Sequence, residues 1–185
     1  TMMYDQKNWK WTNPDTQEEY DLKHMQGFMH EFEVMLAKDG DKTIVKARVN
    51  FSNHCFSATA KEGDDPRWVI SKEKKKGDIC EERVFCPIRW EFSKRLPGIL
   101  QELAYKNCLE GGSGEILYRQ EDASSQGQHD GWYICIRMSY RKGQLELWVR
   151  SAHWRPNRPA DIRSHGARRF CVLLSNYLKS KVASP

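Results

Sequence analysis

A chain of 185 residues has the usual size of one domain, and 39% hydrophobic residues with seven Trp supply enough apolar surface for a core. Thirty Lys and Arg against 25 Asp and Glu make the chain moderately basic, with a formal net charge of +5. No stretch reaches the roughly 20 apolar residues of a membrane span, and none has the pattern of a signal peptide. We therefore expect a folded, cytoplasmic protein with no membrane partner.

The N-terminal residues 1–27 are predicted to form an extension that carries a helix. The Thr-Asn-Pro-Asp stretch at 12–15 offers an N-cap residue, a proline for the first helical position and an early carboxylate. Gly27 is a suitable end for that helix. Residues 28–185 are predicted to form a single α+β domain.

A β-hairpin is predicted next, with strands at 32–37 and 43–56 around an Asp-Gly turn. At a period of two, the second strand has an apolar face and a polar face, and the polar face holds Arg48 and His54. Ser93 is then expected to cap a central helix that ends at the glycines 111–112.

The C-terminal half predicts a second hairpin, since 132–140 and 145–151 alternate around Lys142-Gly143. A further strand is expected at 169–174. The fold class predicted from these elements is α+β: an antiparallel sheet of two hairpins plus a further strand, packed against one central helix and a peripheral N-terminal helix.

A strongly basic segment follows the second hairpin. Its candidate nucleic-acid-binding residues are Arg150, Trp154, Arg155, Arg158, Arg163, Arg168 and Arg169, to which the sheet residues Arg48 and Arg137 are added. Guanidinium groups pair with phosphates in two contacts and aromatic rings stack on unpaired bases, which favours single-stranded nucleic acid, RNA above all. The alternative is an exposed loop whose arginines pair with the chain's own carboxylates.

A set of candidate catalytic residues can also be chosen: His54, Arg89, Arg150, Ser151 and His153. Imidazole can accept a proton from a ribose 2′-hydroxyl near neutral pH, and guanidinium groups can stabilise charge on a phosphate. Such a set would suffice for metal-independent RNA cleavage. A structural hydrogen bond is the alternative role for either histidine.

No cofactor and no metal are predicted. The sequence has no Walker loop, no dinucleotide glycine fingerprint and no HExxH. The six cysteines form no CxxC pair, and Cys80 and Cys86 lack a second pair at the spacing of a zinc site. The cysteines are expected to be reduced thiols.

Three stretches together resemble a group of small proteins carried on bacterial plasmids, phages and integrative elements. They are residues 52–56, residues 83–85 with Arg89, Ser93, Leu96 and Pro97, and residues 149–153. The resemblance covers about residues 45 to 175 and implies a role in the conflict between a mobile element and its host. At the level of the fold, the order of a His-bearing strand, a helix and a strand ending in Ser-Ala is similar to toxin ribonucleases of the barnase, colicin and RelE-like type.

The predicted function is therefore a nucleic-acid-acting protein of a mobile element, acting as a toxin-like, metal-independent endoribonuclease. Carried over from those toxins, His54 would be the base, Arg89 or Arg150 the phosphate-binding cation, and Ser151 or His153 a second proton donor or orienting group. Two alternatives stay open: a non-enzymatic nucleic-acid-binding protein, and an inhibitor or adaptor that binds a host protein through exposed Trp and Arg.

Overall fold

The computed structural model describes residues 4–36, 40–75, 79–112, 114–159 and 166–182, and this part of the chain is mostly β. The strands are β1 (Lys10–Thr12), β2 (Glu19–Asp21), β3 (Phe28–Met35), β4 (Lys42–Phe51), β5 (Ser57–Thr59), β6 (Val69–Lys74), β7 (Cys80–Phe85), β8 (Asn107–Glu110), β9 (Glu115–Gln120), β10 (Gly131–Arg141), β11 (Gln144–Arg155) and β12 (Arg168–Arg169). The α-helices are α1 (Pro87–Ser93), α2 (Leu96–Gln101) and α3 (Phe170–Val182). Short 3-10 helices lie at Lys23–Met25, Asn53–Cys55, Pro66–Trp68 and Leu103–Tyr105.

The chain divides into two compact units. The first unit consists of Thr1–Gln26 and Asn53–Pro97, and the second consists of Gly27–Ser52 and Gly98–Pro185. The sequence-based division into an extension of 1–27 and one domain of 28–185 stays a prediction. None of the helices in the described residues is long and apolar enough to cross a membrane.

The first unit is organised around aromatic side chains. Its described strands form a sheet of order β5-β7-β6 and a separate β1–β2 pair. The indole of Trp11 on β1 stacks on Phe85 of β7, with centroids 4.0 Å apart, and Tyr20 packs against the same ring at 4.9 Å. Such ring pairs bury much apolar area and add about 0.5–1.5 kcal/mol each beyond that burial. They hold the short β1–β2 pair in place.

The predicted N-terminal helix is therefore wrong. Asn13 does act as a cap, since its Oδ1 accepts the backbone N–H groups of Asp15 and Thr16 at 2.9 and 3.3 Å. The cap closes a turn between β1 and β2, however, and Gln17 with φ of 62° ends that turn. Asx turns and helix N-caps use the same side-chain chemistry, and here the pairing of Trp11 with Tyr20 across the two strands decides between them.

The second unit is built on a sheet that, in the described residues, has the order β12-β8-β9-β10-β11-β4-β3. Both predicted hairpins are present in it, as β3–β4 and β10–β11. Lys142 and Gly143 have φ of 51° and 78°, the left-handed pair that a two-residue hairpin turn needs. The hairpins meet through parallel pairing of β4 with β11, where Ala47 lies opposite Leu145 and Val49 opposite Leu147. All four of these side chains are buried.

The predicted fold class is wrong, because the hairpins belong to this much larger mixed sheet and the helices differ from those predicted. The central helix predicted from Ser93 to the glycines 111–112 is wrong: Ser93 is the last residue of α1, the short α2 has Pro97 in its first turn, and the residues before the glycines form β8. Of the C-terminal strand predicted at 169–174, Arg169 belongs to the two-residue strand β12 and the residues from Phe170 on form the start of α3. Phe170, Leu174 and Leu178 of α3 are buried at helical spacing, and Phe170 packs on Phe32 of β3.

We expect neighbouring residues of β11 to differ sharply in their effect on stability. Leu147 is fully buried, whereas Trp148 is 44% exposed. Leu147→Ala should lower the free energy of unfolding by about 2–5 kcal/mol, because it removes packing and leaves a cavity. Trp148→Ala should lower it by less than about 1 kcal/mol. Urea denaturation followed by circular dichroism measures both, and equal losses would contradict the assignment of Trp148 to the open face.

Candidate functional site

Three adjacent strands of the second unit bring an exposed tryptophan together with arginines. Trp148 on β11 lies opposite Arg137 of β10 on one side and Asn50 of β4 on the other. Arg48 of β4 lies opposite Glu146, two positions before Trp148, and therefore on the same side of the sheet. We call the set Arg48, Arg137, Trp148 and Arg150 the arginine–tryptophan face.

Side-chain partners are scarce at the centre of this face. Within the described residues, Arg48 and Arg137 make no hydrogen bond or ion pair through their guanidinium groups, and both are exposed. The Trp148 ring forms no ring-stacking or cation–π contact in that part of the chain. Two lysines of the same strand, β4, differ, since Lys42 pairs with Glu33 at 2.7 Å and Lys46 with Glu31 at 3.5 Å. Arg48 lies opposite Glu146 and Arg137 opposite Glu115, yet within the described residues neither arginine forms an ion pair.

A β-bulge in β11 places Arg150 and Ser151 on the same face. Val149 pairs with Ile136 and Ser151 with Cys135, so Arg150 is the extra residue. Val149 and Ala152 on either side are both fully buried and point to the core. Arg150 makes an ion pair with Glu115 of β9 at 2.8 Å. The bulge therefore gives Arg150 a carboxylate partner that Arg48 and Arg137 lack.

The remaining candidates on β11 lie further along the strand. The Nε2 atom of His153 accepts a hydrogen bond from Nε of Arg155 at 2.8 Å, so this nitrogen is the unprotonated one. Trp154 is 38% exposed and pairs with the largely buried Trp132. Arg158, which follows the end of β11, is half-buried. An imidazole nitrogen that already accepts a hydrogen bond from a guanidinium group is poorly placed to take a proton from a substrate.

The basic segment does not form one surface. Arg168 and Arg169 form β12, which pairs with Cys108 and Asn107 of β8 at the edge of the sheet, away from β10 and β11. Arg163 lies outside the described residues. The arginines that were grouped by their closeness in sequence are thus divided between the centre and one edge of the sheet.

His54 does not lie on β4. The strand ends at Phe51, and His54 belongs to the 3-10 helix Asn53–Cys55 of the first unit. Its Nε2 lies 3.1 Å from both carboxylate oxygens of Glu73 on β6. The predicted polar face of Arg48 and His54 on one strand is therefore wrong, because Asn53 turns the chain before His54. In its place, the first unit offers a histidine oriented by a carboxylate.

Arg83 and Arg89 hold the backbone beside His54. Arg83 is 4% exposed, and it donates to Oγ and to the carbonyl of Ser57, each at 2.9 Å, and to Glu81 at 3.0 Å. Arg89 donates to the carbonyls of Ser57 at 2.6 Å and His54 at 3.4 Å. These guanidinium groups are satisfied by the protein itself. The predicted phosphate-binding role of Arg89 stays a prediction, and its contacts give it a structural role.

Burial and nearby charges set the protonation of this pair. Burial, with the charge of Arg83 next, lowers the pKa of His54 below its ordinary value, although Glu73 acts in the opposite direction. Burial alone would raise the pKa of Glu73, but hydrogen bonds from His54 and Asn53 outweigh it and lower that pKa. A neutral imidazole beside a charged carboxylate is expected at neutral pH. This is the state of a base that can accept a proton.

Trp148 and Glu73 are the two residues that the sequence analysis did not select. Trp148 stands at a polar-face position of a cleanly alternating strand, and this was a signal that could have identified it. Glu73 lies in a lysine-rich run that predicts a solvated loop, and no sequence signal joins it to His54. Within the described parts of the chain, no group of three or more His, Cys, Asp or Glu side chains could hold a metal ion.

Comparison with known proteins adds one match. A family model described as the YjaZ family matches residues 10–178 of the chain. Neither the curated proteins nor the solved structures include a match to the sequence of this chain. The description of the family names no activity, substrate or cofactor. The predicted origin from a mobile element and the likeness to toxin ribonucleases therefore stay predictions.

The His54–Glu73 pair makes a testable prediction about protonation. His54 should titrate below its ordinary value of about 6.5, and Glu73→Gln should lower its pKa further by removing the charged acceptor. NMR titration of the histidine ring signals measures this, with His54→Gln to assign the resonance. Glu82→Gln is the matched control, since Glu82 pairs with Lys72 and should leave the pKa of His54 unchanged.

The lowered pKa of His54 also makes the stability of the fold depend on pH. Because the pKa of His54 is lower in the folded than in the unfolded chain, the unfolded chain binds more protons below about pH 6.5. The contribution of His54 is thus present above that pH and is lost as pH falls towards the folded-state pKa. A His54 pKa above 6.5, or an increase of that pKa in Glu73→Gln, would contradict this account.

Proposed function

The chain belongs to the YjaZ family, and we propose that it binds single-stranded nucleic acid, with RNA favoured, on the arginine–tryptophan face. One observation carries the proposal: Trp148 is 44% exposed on a central strand and is flanked by Arg48 and Arg137, which lack partners in the described residues. An exposed indole ring forgoes burial worth on the order of 1 kcal/mol or more. A bound base would recover that burial.

The chemistry of this face fits a single strand better than a duplex. Bases that stack on a protein ring must first be unstacked and unpaired, as they are in single strands. The exposed face of Trp148 offers a stacking surface, and the guanidinium groups of Arg48 and Arg137 can pair with the phosphates on either side of the stacked base. A sheet surface is also the kind of platform on which aromatic residues bind RNA bases in other folds.

Binding of a host protein is the alternative that the same face allows. Exposed Trp and Arg residues are the side chains most often found at hot spots of protein interfaces. The two ligands differ in their response to salt, because phosphate contacts release counterions and protein contacts release few. We favour nucleic acid because the three arginines of the face outnumber the two carboxylates that lie opposite them, Glu115 and Glu146.

A second candidate function is metal-independent RNA cleavage at His54, supported by its hydrogen bond to Glu73. In this reaction His54 would take the proton of a ribose 2′-hydroxyl, and the oxygen would attack the adjacent phosphorus. The 5′-oxygen of the next nucleotide would leave with a proton returned by the imidazolium. A toxin-like role in the conflict between a mobile element and its host is part of this proposal and is supported by the sequence resemblance alone.

The binding proposal predicts a strong effect of one exposed ring. Trp148→Ala should weaken binding of a fluorescein-labelled 12-nucleotide RNA about five- to 150-fold, the range expected for loss of one stacked base. Fluorescence anisotropy measures this, and circular dichroism checks the fold. Tyr105→Ala is the matched control, since Tyr105 is 67% exposed and lies outside the arginine–tryptophan face.

Salt dependence tests the two arginines. In Arg48→Gln/Arg137→Gln, the slope of log affinity against log salt should become smaller by about 1.4, or roughly 0.7 for each phosphate contact on a single strand. Arg168→Gln on β12 is the control and should leave the slope unchanged. The proposal would be rejected if the wild type bound neither RNA nor single-stranded DNA, or if Trp148→Ala left the binding unchanged. Either result would favour a protein partner.

Cleavage is tested separately, with 5′-labelled single-stranded RNA in the presence of EDTA. Loss of a general base typically slows a reaction about 10²- to 10⁴-fold, and this is the loss expected for His54→Gln. His24→Gln is the control, because His24 is half-buried in the same unit and bonds to Ser93. DNA of the same sequence lacks the 2′-hydroxyl and should stay intact. RNA that is not cut, or is cut equally by His54→Gln, would reject this second candidate.

A further inference from the structure

A groove in the second unit lies away from the arginine–tryptophan face. It has a volume of about 480 Å³, between the β3–β4 hairpin and α3. Cys171, Ser175 and Lys179 line it from α3 at a spacing of four, which places them on one face of the helix. Pockets of about 300–1,000 Å³ are the usual size for small ligands. The groove is therefore large enough for a small organic molecule.

Exposed apolar side chains converge on this groove. Met35 is 49% exposed, Tyr105 is 67% exposed and Val172 is 38% exposed, and all three line it. They come from β3, a 3-10 helix and α3, which are far apart in sequence. Single exposed apolar residues are normal, but several around one concave surface mark a binding site. The walls can cover an apolar group of a ligand.

The charge of the lining selects an anion. Lys42 is neutralised by Glu33 at 2.7 Å. Arg169 and Lys179 also line the groove, and neither forms an ion pair or a side-chain hydrogen bond with any of the residues that the structure describes. Two uncompensated cations therefore stand beside the apolar walls. A phosphate or carboxylate group of a ligand can pair with either of these cations.

The polar atoms of α3 leave room for such a ligand. Ser175 is already engaged, since its Oγ accepts from the backbone N–H of Met35 at 3.2 Å and donates to the carbonyl of Cys171 at 2.7 Å. This bridge ties α3 to the end of β3 and forms the floor of the groove. The exposed amide of Asn176 has no side-chain partner in the described residues and can bond to a ligand head group.

We infer that this groove is a binding site for a small amphipathic anion, with its apolar body against Met35, Tyr105 and Val172 and its phosphate or carboxylate paired with Arg169 or Lys179. The inference is independent of nucleic-acid binding. Apolar contact and charge are both required: the walls alone select no head group, and two surface cations alone hold an anion only weakly.

The test uses the fluorescent aromatic sulfonate 1-anilinonaphthalene-8-sulfonate as the probe, with the full chain. Decyl phosphate and decanoate, both below their micelle concentrations, should displace the probe. Inorganic phosphate and decanol, which each carry half of the required chemistry, should need at least about tenfold higher concentration. A stronger effect of decyl phosphate than of decanoate would assign a phosphate head group, and the reverse order a carboxylate.

Two variants locate the site. Arg169→Gln/Lys179→Gln should weaken probe binding about three- to thirtyfold, and Val172→Glu at least about tenfold, because it places a carboxylate in the groove. Lys181→Gln and Trp148→Ala are controls and should bind as the wild type does. Circular dichroism confirms that each variant is folded, and the arginine–lysine variant changes only exposed side chains.

Three results would overturn the inference: no probe binding by the wild type, binding within about twofold of wild type in both groove variants, or equal competition by inorganic phosphate and decyl phosphate. Failure of RNA binding in Trp148→Ala with intact probe binding would concern the arginine–tryptophan face alone. The two proposals can thus fail separately.

Discussion

The parallel pairing of β4 with β11 is the interaction on which the second unit depends. It joins two hairpins, each of which is local in sequence, into one sheet through the buried residues Ala47, Val49, Leu145 and Leu147. Side chains alternate between the faces of a strand, so the register that buries Leu147 also exposes Trp148 beside Arg137. A slip of one residue in β11 would exchange the two faces. The hydrophobic core thereby determines the composition of the open face.

Arginine has two different uses in this chain, and its partners distinguish them. In the first unit, Arg83 is buried and donates hydrogen bonds to oxygen atoms of Ser57, Thr59 and Glu81. Burying a charge without such partners would cost several kcal/mol, so Arg83 is part of the architecture. In the second unit, Arg48 and Arg137 stand at the surface with no partner in the described residues. The hydrogen-bond partners of an arginine distinguish the structural use from the surface use, whereas the number of basic residues in the sequence does not.

Much of the local structure could be predicted from the sequence, because it depends on neighbouring residues. Alternation at Val45, Ala47 and Val49 and the Lys142-Gly143 turn identified both hairpins. Elements whose structure depends on distant contacts were predicted wrongly. The apolar run that begins at Phe170 fits a strand or a helix equally well over five residues, and packing against Phe32 decides in favour of the helix.

The candidate site shows the same limit. Arg48, Arg137 and Arg150 were selected from their strand positions, and the structure brings them to one face. His54 was placed on a strand that in fact ends three residues earlier. Its carboxylate partner Glu73 lies 19 positions away, across a turn that no periodicity reveals. Residue type and spacing identify a candidate side chain, but its partner depends on the register between strands, which becomes known only when the strands are paired.

The pairing of β4 with β11 also affects how the chain folds while it is being synthesised. Almost a hundred residues separate Ala47 from Leu145, and the whole 53–97 segment of the first unit is made in between. At roughly 5–20 residues per second, the ribosome completes β11 about 5–20 s after β4. Until then one edge of β4 lacks its neighbour, and an unpaired edge invites pairing with other chains. The nascent β3–β4 hairpin is therefore exposed to such pairing for as long as β11 has not been made.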